Sequence, residues 1–123
     1  TKMETTMKYM LMIYTDESGA AKADDATRTK MSATYAAYTE AMKKAGVWIG
    51  GDRLRPTAMG TTVRVRDGKQ QVVDGPYADT KEQLGGYYMI EAPDMDAALS
   101  WAARCPAASQ GTIEVRPLWE MTA

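Results

Sequence analysis

The sequence predicts an α+β protein: a ferredoxin-like split βαβ plait with an antiparallel sheet and an inserted β-hairpin. Three observations carry that expectation. Met7 to Tyr14 (MKYMLMIY) is a nearly continuous apolar run, the pattern of a central strand buried on both faces. From Thr27 to Ala45 the apolar residues Met31, Tyr35, Tyr38, Met42 and Ala45 recur at steps of four and three, one stripe of a helix. Asp67-Gly68 stands between two alternating runs, the strongest short-range hairpin signal because a type I′ turn needs positive φ twice.

The remaining elements fall into place around these. Asp16 to Asp25 is polar and reads as a loop. Lys43 and Lys44 suit the last turn of the first helix, and Gly46 suits its end. Val47 to Asp52 is a short strand that includes Gly50-Gly51, and Leu54 to Gly60 is a loop around Pro56. The hairpin pairs Thr61–Arg66 with Lys69–Asp74, which sets Arg66 opposite Lys69 and Val63 opposite Val72. Arg64 and Arg66 then point together, away from the valines. Thr80 to Leu84 reads as one helical turn and Tyr87 to Glu91 (YYMIE) as a strand. Asp94 caps a second helix with Met95, Ala98, Leu99 and Ala102 as its stripe, and Pro106 stops it. Thr112 to Arg116 alternates as a final strand, with Pro117 suited to a sheet edge. Residues 1–6 are expected to be a loose leader or tag remnant, with a single domain over 7–121.

Composition excludes several classes of function. The 123 residues are 45% hydrophobic and 25% charged with a net charge of −1, so no field draws in nucleic acid or an anionic membrane. Cys105 is the one cysteine and has no internal partner, which fits a reducing, cytoplasmic setting. No apolar stretch is long enough to span a bilayer as a helix. There is no His, no Phe and no Asn. Without His, and with one Cys, the usual zinc, copper and haem ligand sets are missing, and Ser-His-Asp and Cys-His catalysis cannot be built. No metal or cofactor is expected. Proton transfer falls to Asp, Glu, Lys, Tyr or an unusual Cys.

The two strands expected at the sheet centre are apolar on both faces. Tyr9, Leu11 and Ile13 oppose Met10, Met12 and Tyr14 in one, and Tyr87 and Met89 oppose Tyr88 and Ile90 in the other. Helices of the plait cover one face only. A single copy would leave the other greasy and wet, so a face-to-face homodimer with a pocket between or beside the sheets is expected.

Asp74 to Gly86 (DGPYADTKEQLGG), with the following YYMIE, resembles the signature of the YCII-related (DGPF-domain) family, with Tyr77 where Phe is usual. The likeness extends to MKYMLMIY, Gly50-Gly51, WAARCPAA (Trp101 to Ala108) and the ending IEVRPLWEM. The resemblance implies a ferredoxin-like protomer in a dimeric α/β barrel. Members are mostly uncharacterised, and related folds include small-molecule isomerases, dehydrochlorinases and monooxygenases. Many members have a histidine at the position of Gln110, where a His-Asp pair would move protons. Gln110 can orient a ligand but cannot titrate.

The candidate site follows from that segment. Gly75-Pro76 turns the chain so that Asp74 and Tyr77 can converge, with Lys81 and Glu82 close behind. A carboxylate, a phenol and an ammonium in one cleft shift one another's pKa values. The same residues serve equally well as a capped turn with a Lys81–Glu82 pair. Candidate catalytic residues are Asp74 and Glu82. Candidate ligand contacts are Tyr14, Asp52, Arg64, Tyr77, Lys81 and Gln110. Two main functions remain open: a non-catalytic or regulatory small-molecule-binding dimer, and a cofactor-free proton-transfer enzyme acting on a small polar or aromatic substrate through Asp74 or Glu82. A protein whose original role has been lost or replaced is a third.

Overall fold

A computed structural model describes residues 6–120; the expected leader, apart from Thr6, lies outside the described residues. The elements in order are β1 (Met7–Thr15), α1 (Glu17–Ala21), α2 (Asp25–Lys44), β2 (Trp48–Arg53), β3 (Thr61–Arg66), β4 (Lys69–Asp74), β5 (Gln83–Ala92), α3 (Met95–Arg104) and β6 (Thr112–Pro117). Short 3₁₀ turns occupy Thr57–Met59 and Pro106–Ser109. The main sheet has the order β2-β5-β1-β6, and every neighbouring pair is antiparallel. A β-strand flanked by its two crossover partners in this order is the split βαβ plait. The strands form an open sheet, not a closed barrel. β3 and β4 form a two-stranded sheet of their own.

Why these residues fold this way is clearest at β1. Its odd positions Tyr9, Leu11 and Ile13 are buried and face the helices, while Met10, Met12 and Tyr14 on the other side are half-buried. On the helix side, Tyr38 and Met42 of α2 pack with Ile90 and Ala92 of β5 and Ala98 and Ala102 of α3. Of the four large side chains fully buried here, Tyr9, Leu11, Met42 and Ile90, each of the last three contributes roughly 1.5–3 kcal/mol of apolar transfer. Tyr38 meets Tyr88 edge-on with ring centroids 5.4 Å apart, and its hydroxyl donates to the Trp101 carbonyl at 2.6 Å. That bond ties α2 to α3 and gives a buried phenol the partner it needs.

Both long helices are capped as their sequences require. The Asp24 carboxylate accepts from the Thr27 amide and that of Asp94 from the Ala97 amide, each satisfying an orphan first-turn donor. Gly46, at φ +75, closes the end of α2.

Four expectations are corrected. The segment read as a loop over 16–25 contains α1, started by the Asp16 side chain, which accepts from the Ser18 amide. It is held by tertiary bonds: the Glu17 amide donates to Gln83 Oε1, and the Glu17 carboxylate accepts from the Thr57 amide and hydroxyl. Thr80 to Leu84 is not helical; Gln83 and Leu84 begin β5, paired with Thr15 and Tyr14. The stripe of α2 is only half used, since Met31 is 41% exposed and Ala45 is exposed. In α3 the stripe narrows to Ala98 and Ala102, with Met95 and Leu99 left partly in solvent.

Candidate functional site

The antiparallel register of the hairpin sorts its side chains into two faces. Thr61, Val63 and Val65 pair with Asp74, Val72 and Gln70 on one; Thr62, Arg64 and Arg66 pair with Val73, Gln71 and Lys69 on the other. The turn has Asp67 at φ 51 and Gly68 at φ 75, the two positive values of a type I′ turn. At the open end, Gly75 at φ 102 swings the chain back. Its amide donates to the Gly60 carbonyl at 2.7 Å, and its carbonyl accepts from the Thr62 hydroxyl at 2.8 Å. Pro76 and Tyr77 are thereby brought over the Thr62/Arg64 face.

The result is a cleft of about 230 Å³ lined by Thr62, Arg64, Gln71, Val73, Pro76 and Tyr77. The Arg64 guanidinium carbon lies 5.2 Å from the centre of the Tyr77 ring, within cation–π range. Arg66, on the same face, instead donates to the Val65 carbonyl. The one ion pair among the described residues is Arg28 with Asp25 at 3.7 Å, so within that set Arg64 has no acidic partner. Among the described residues no carboxylate lines the cleft.

The other sequence candidates are distributed elsewhere. Asp74 is exposed and sits with Val63, Val65 and Val72, away from the cleft lining. Val73 instead shares the face of Arg64 and Arg66, which corrects the expectation that these arginines point away from all the valines. Glu82 is half-buried; its carboxylate accepts from the Thr112 hydroxyl at 2.8 Å, which ties the start of β5 to the start of β6. Lys81 is exposed beside it, with no ion pair to Glu82 among the described residues. Gln110 is exposed just after the 3₁₀ turn, its amide donating to the Ala107 carbonyl. Tyr14 is half-buried near the same end of the sheet, paired with Leu84 and Thr112. Arg64 and Tyr77 therefore meet, Tyr14, Glu82 and Gln110 share a sheet end, and Asp74 joins neither group.

The open face of the main sheet holds a contact that sequence reasoning missed. Across the strands runs the row Asp52, Tyr87, Met12 and Glu114, and the Tyr87 hydroxyl donates to Asp52 Oδ2 at 2.6 Å. That bond, with the charge of Asp52, raises the Tyr87 phenol above its ordinary value, because ionisation would lose the donor and set two negative charges together. The two residues are 35 apart in sequence; only the β2–β5 register brings them together. The neighbouring row is Gly50, Met89, Met10 and Arg116. Beside it Met10, Met12, Arg116, Pro117, Leu118 and Trp119 line a groove of about 300 Å³, with Trp119 92% exposed.

Among the described residues no three Asp, Glu or Cys side chains are grouped to hold a metal ion. Cys105 is buried, and burial pushes its thiol up, the opposite of what an activated thiolate needs. Among the described residues no helix is long and apolar enough to cross a membrane.

Comparison with known proteins matches the sequence to a known family. A protein of Rhizobium meliloti (strain 1021), itself uncharacterised, is 39% identical over 118 residues, covering 91% of this chain and 92% of the relative. The model of the YCII-related domain matches residues 7–122, which include the hairpin, the cleft and the Asp52–Tyr87 contact. The chain belongs to the YCII-related domain family.

Proposed function

We propose that this protein is a non-catalytic or regulatory, small-molecule-binding YCII-related, DGPF-like protein. The observation that carries the reading is the convergence of Arg64 and Tyr77 in one cleft with Thr62, Gln71, Val73 and Pro76, while Asp74 and Glu82 stay outside it. A cationic and an aromatic group beside a hydroxyl and an amide make a recognition surface. Among the described residues that line it there is no carboxylate to serve as a general base. The test is a fragment screen read by ¹H–¹⁵N chemical-shift mapping. Hits whose shifts concentrate on residues 62–77 are expected; a screen in which every hit maps elsewhere overturns the reading.

The working unit we propose is a homodimer in the cytoplasm, joined through the open sheet faces. Met10, Met12, Tyr87 and Met89 give that face an apolar centre, with Trp119 beside it and Asp52, Glu114 and Arg116 toward its margins. Deformable thioethers suit a packed interface. Sizing by light scattering at micromolar concentration is expected to give twice the 13.5 kDa chain mass, and Met12→Asp to give the monomer. A wild-type monomer at high concentration refutes the pairing.

One observation favours a second reading, cofactor-free proton transfer. The Tyr87–Asp52 bond sits on the face that such a dimer would enclose, and a phenol donating to a carboxylate couples an acid to a base at one spot. It would act in place of, or beside, Asp74 and Glu82.

A further inference from the structure

We infer that the hairpin cleft takes a small planar carboxylate, a one-ring aromatic acid being the type, with Arg64 holding the carboxylate and Tyr77 and Pro76 the ring. The inference rests on the binding reading above and names the class of ligand. Charge decides the first half. Among the described residues the lining contains one full charge, Arg64, and no acid, and no carboxylate pairs with it. An arginine fork matches a carboxylate through two parallel N–H bonds. Gln71 lies directly opposite Arg64 in the register, so a side-chain amide flanks the spot where the anion would sit, while the Thr62 hydroxyl, already donating to the Gly75 carbonyl, holds the return turn in place.

Shape and polarity decide the second half. Val73 and Pro76 supply an apolar floor and wall, and Tyr77, 77% exposed, supplies an aromatic surface with nothing packed over most of it. A flat ring buries against these surfaces, whereas a sugar or a polyol leaves its hydroxyls unmatched there. A space of about 230 Å³ is smaller than the pockets that hold drug-sized molecules, so one ring with a carboxylate is the size it accommodates. Arg64 is held near the Tyr77 ring before any ligand arrives, which lowers the ordering cost of binding.

The experiment titrates the full chain with benzoate, benzyl alcohol and acetate, following amide and side-chain shifts. Benzoate is expected to saturate with shifts at Thr62, Arg64, Gln71 and Tyr77, and to bind at least about tenfold more tightly than either control, as a charge-assisted bidentate contact implies. Arg64→Gln is expected to weaken benzoate about tenfold or more while leaving benzyl alcohol unchanged, and Tyr77→Ala to weaken both. Arg64 is exposed on a hairpin strand, so its replacement leaves the fold intact, and the unchanged spectrum of the main sheet verifies this. If benzoate and benzyl alcohol bind the cleft equally, or Arg64→Gln has no effect on benzoate, the carboxylate assignment is wrong while the cleft remains a binding site. If other fragments map to the cleft but none of these three does, the ligand class is wrong. If nothing binds there, the binding reading itself fails.

Discussion

Two adjacent glycines in β2 show how much one hydrogen atom can decide. A methyl group on Gly51 would sit 2.7 Å from Tyr88 Cδ1 and 2.8 Å from the Tyr87 carbonyl oxygen, while one on Gly50 meets nothing within 4 Å. The Tyr88 ring is itself wedged against Tyr38 and Trp48 and has little room to yield. Gly51→Ala is therefore expected to destabilise the protein by about 1–3 kcal/mol, as overpacked cores do, and Gly50→Ala by well under that. Urea unfolding of the two variants checks the contrast; equal midpoints would mean that β2 and β5 can separate freely. The amino-acid order flags the pair as special without distinguishing its members. Only the bulge between Trp48 and Gly50 sets which glycine faces the core. The same limit hides the Tyr87–Asp52 bond. Each residue is ordinary in its own segment, and their meeting depends on a register fixed by strands far apart in the chain.

At the scale of elements, what was legible is what local chemistry dictates. The hairpin, its turn and its pairing follow from Asp67-Gly68 and the alternation around it, and the cap at Asp94 follows from residue type. What was not legible is held by distant partners. α1 exists because Glu17 is gripped by Thr57 and Gln83, and β5 starts early because Gln83 and Leu84 find Thr15 and Tyr14. Placing Arg64 against Tyr77 needed the turn at Gly75 as well as the hairpin. The ribbon itself offers a direct test. Gly68 sits at φ 75, where a side chain costs about 1–2 kcal/mol. Gly68→Ala should speed amide exchange across β3 and β4 on the order of tenfold or more, with β1 and β5 unchanged. Exchange that rises equally in the main sheet would show that the two sheets unfold as one unit.

For the whole molecule, the tyrosines at the seam of helices and sheet predict how it meets alkali. Burial pushes the Tyr35 phenol from 10.0 up to about 12, with Cys105 and Tyr88 adding to the shift. Tyr38 is raised further, again chiefly by burial. The folded state then holds protons that the unfolded chain releases, so the stabilisation is fully present below pH 10 and is lost as pH rises toward 12 and beyond. The urea midpoint should begin to fall as pH passes the ordinary thiol value near 9.0, because the buried Cys105 also keeps its proton in the fold, and fall steeply above 10, and a Tyr35→Phe variant should show a shallower fall in that upper range. A midpoint unchanged through pH 11 would place both phenols in contact with water.

The hairpin packs chiefly on itself and touches the other elements only slightly, and a lone two-stranded ribbon is marginal in water. The candidate cleft thus rides on a weakly anchored part of the chain. A molecule lodged between Arg64 and Tyr77 would act as a staple, joining the Pro76–Tyr77 return to the strand it crosses. By mass action the same molecule would shift the ribbon from open to closed. The ribbon's three basic residues, Arg64, Arg66 and Lys69, are also peptide-bond sites that trypsin recognises. Occupancy of the cleft would be written into the chain's resistance to being cut, so a cell's proteases could sense whether the ligand is present without any change in the main sheet.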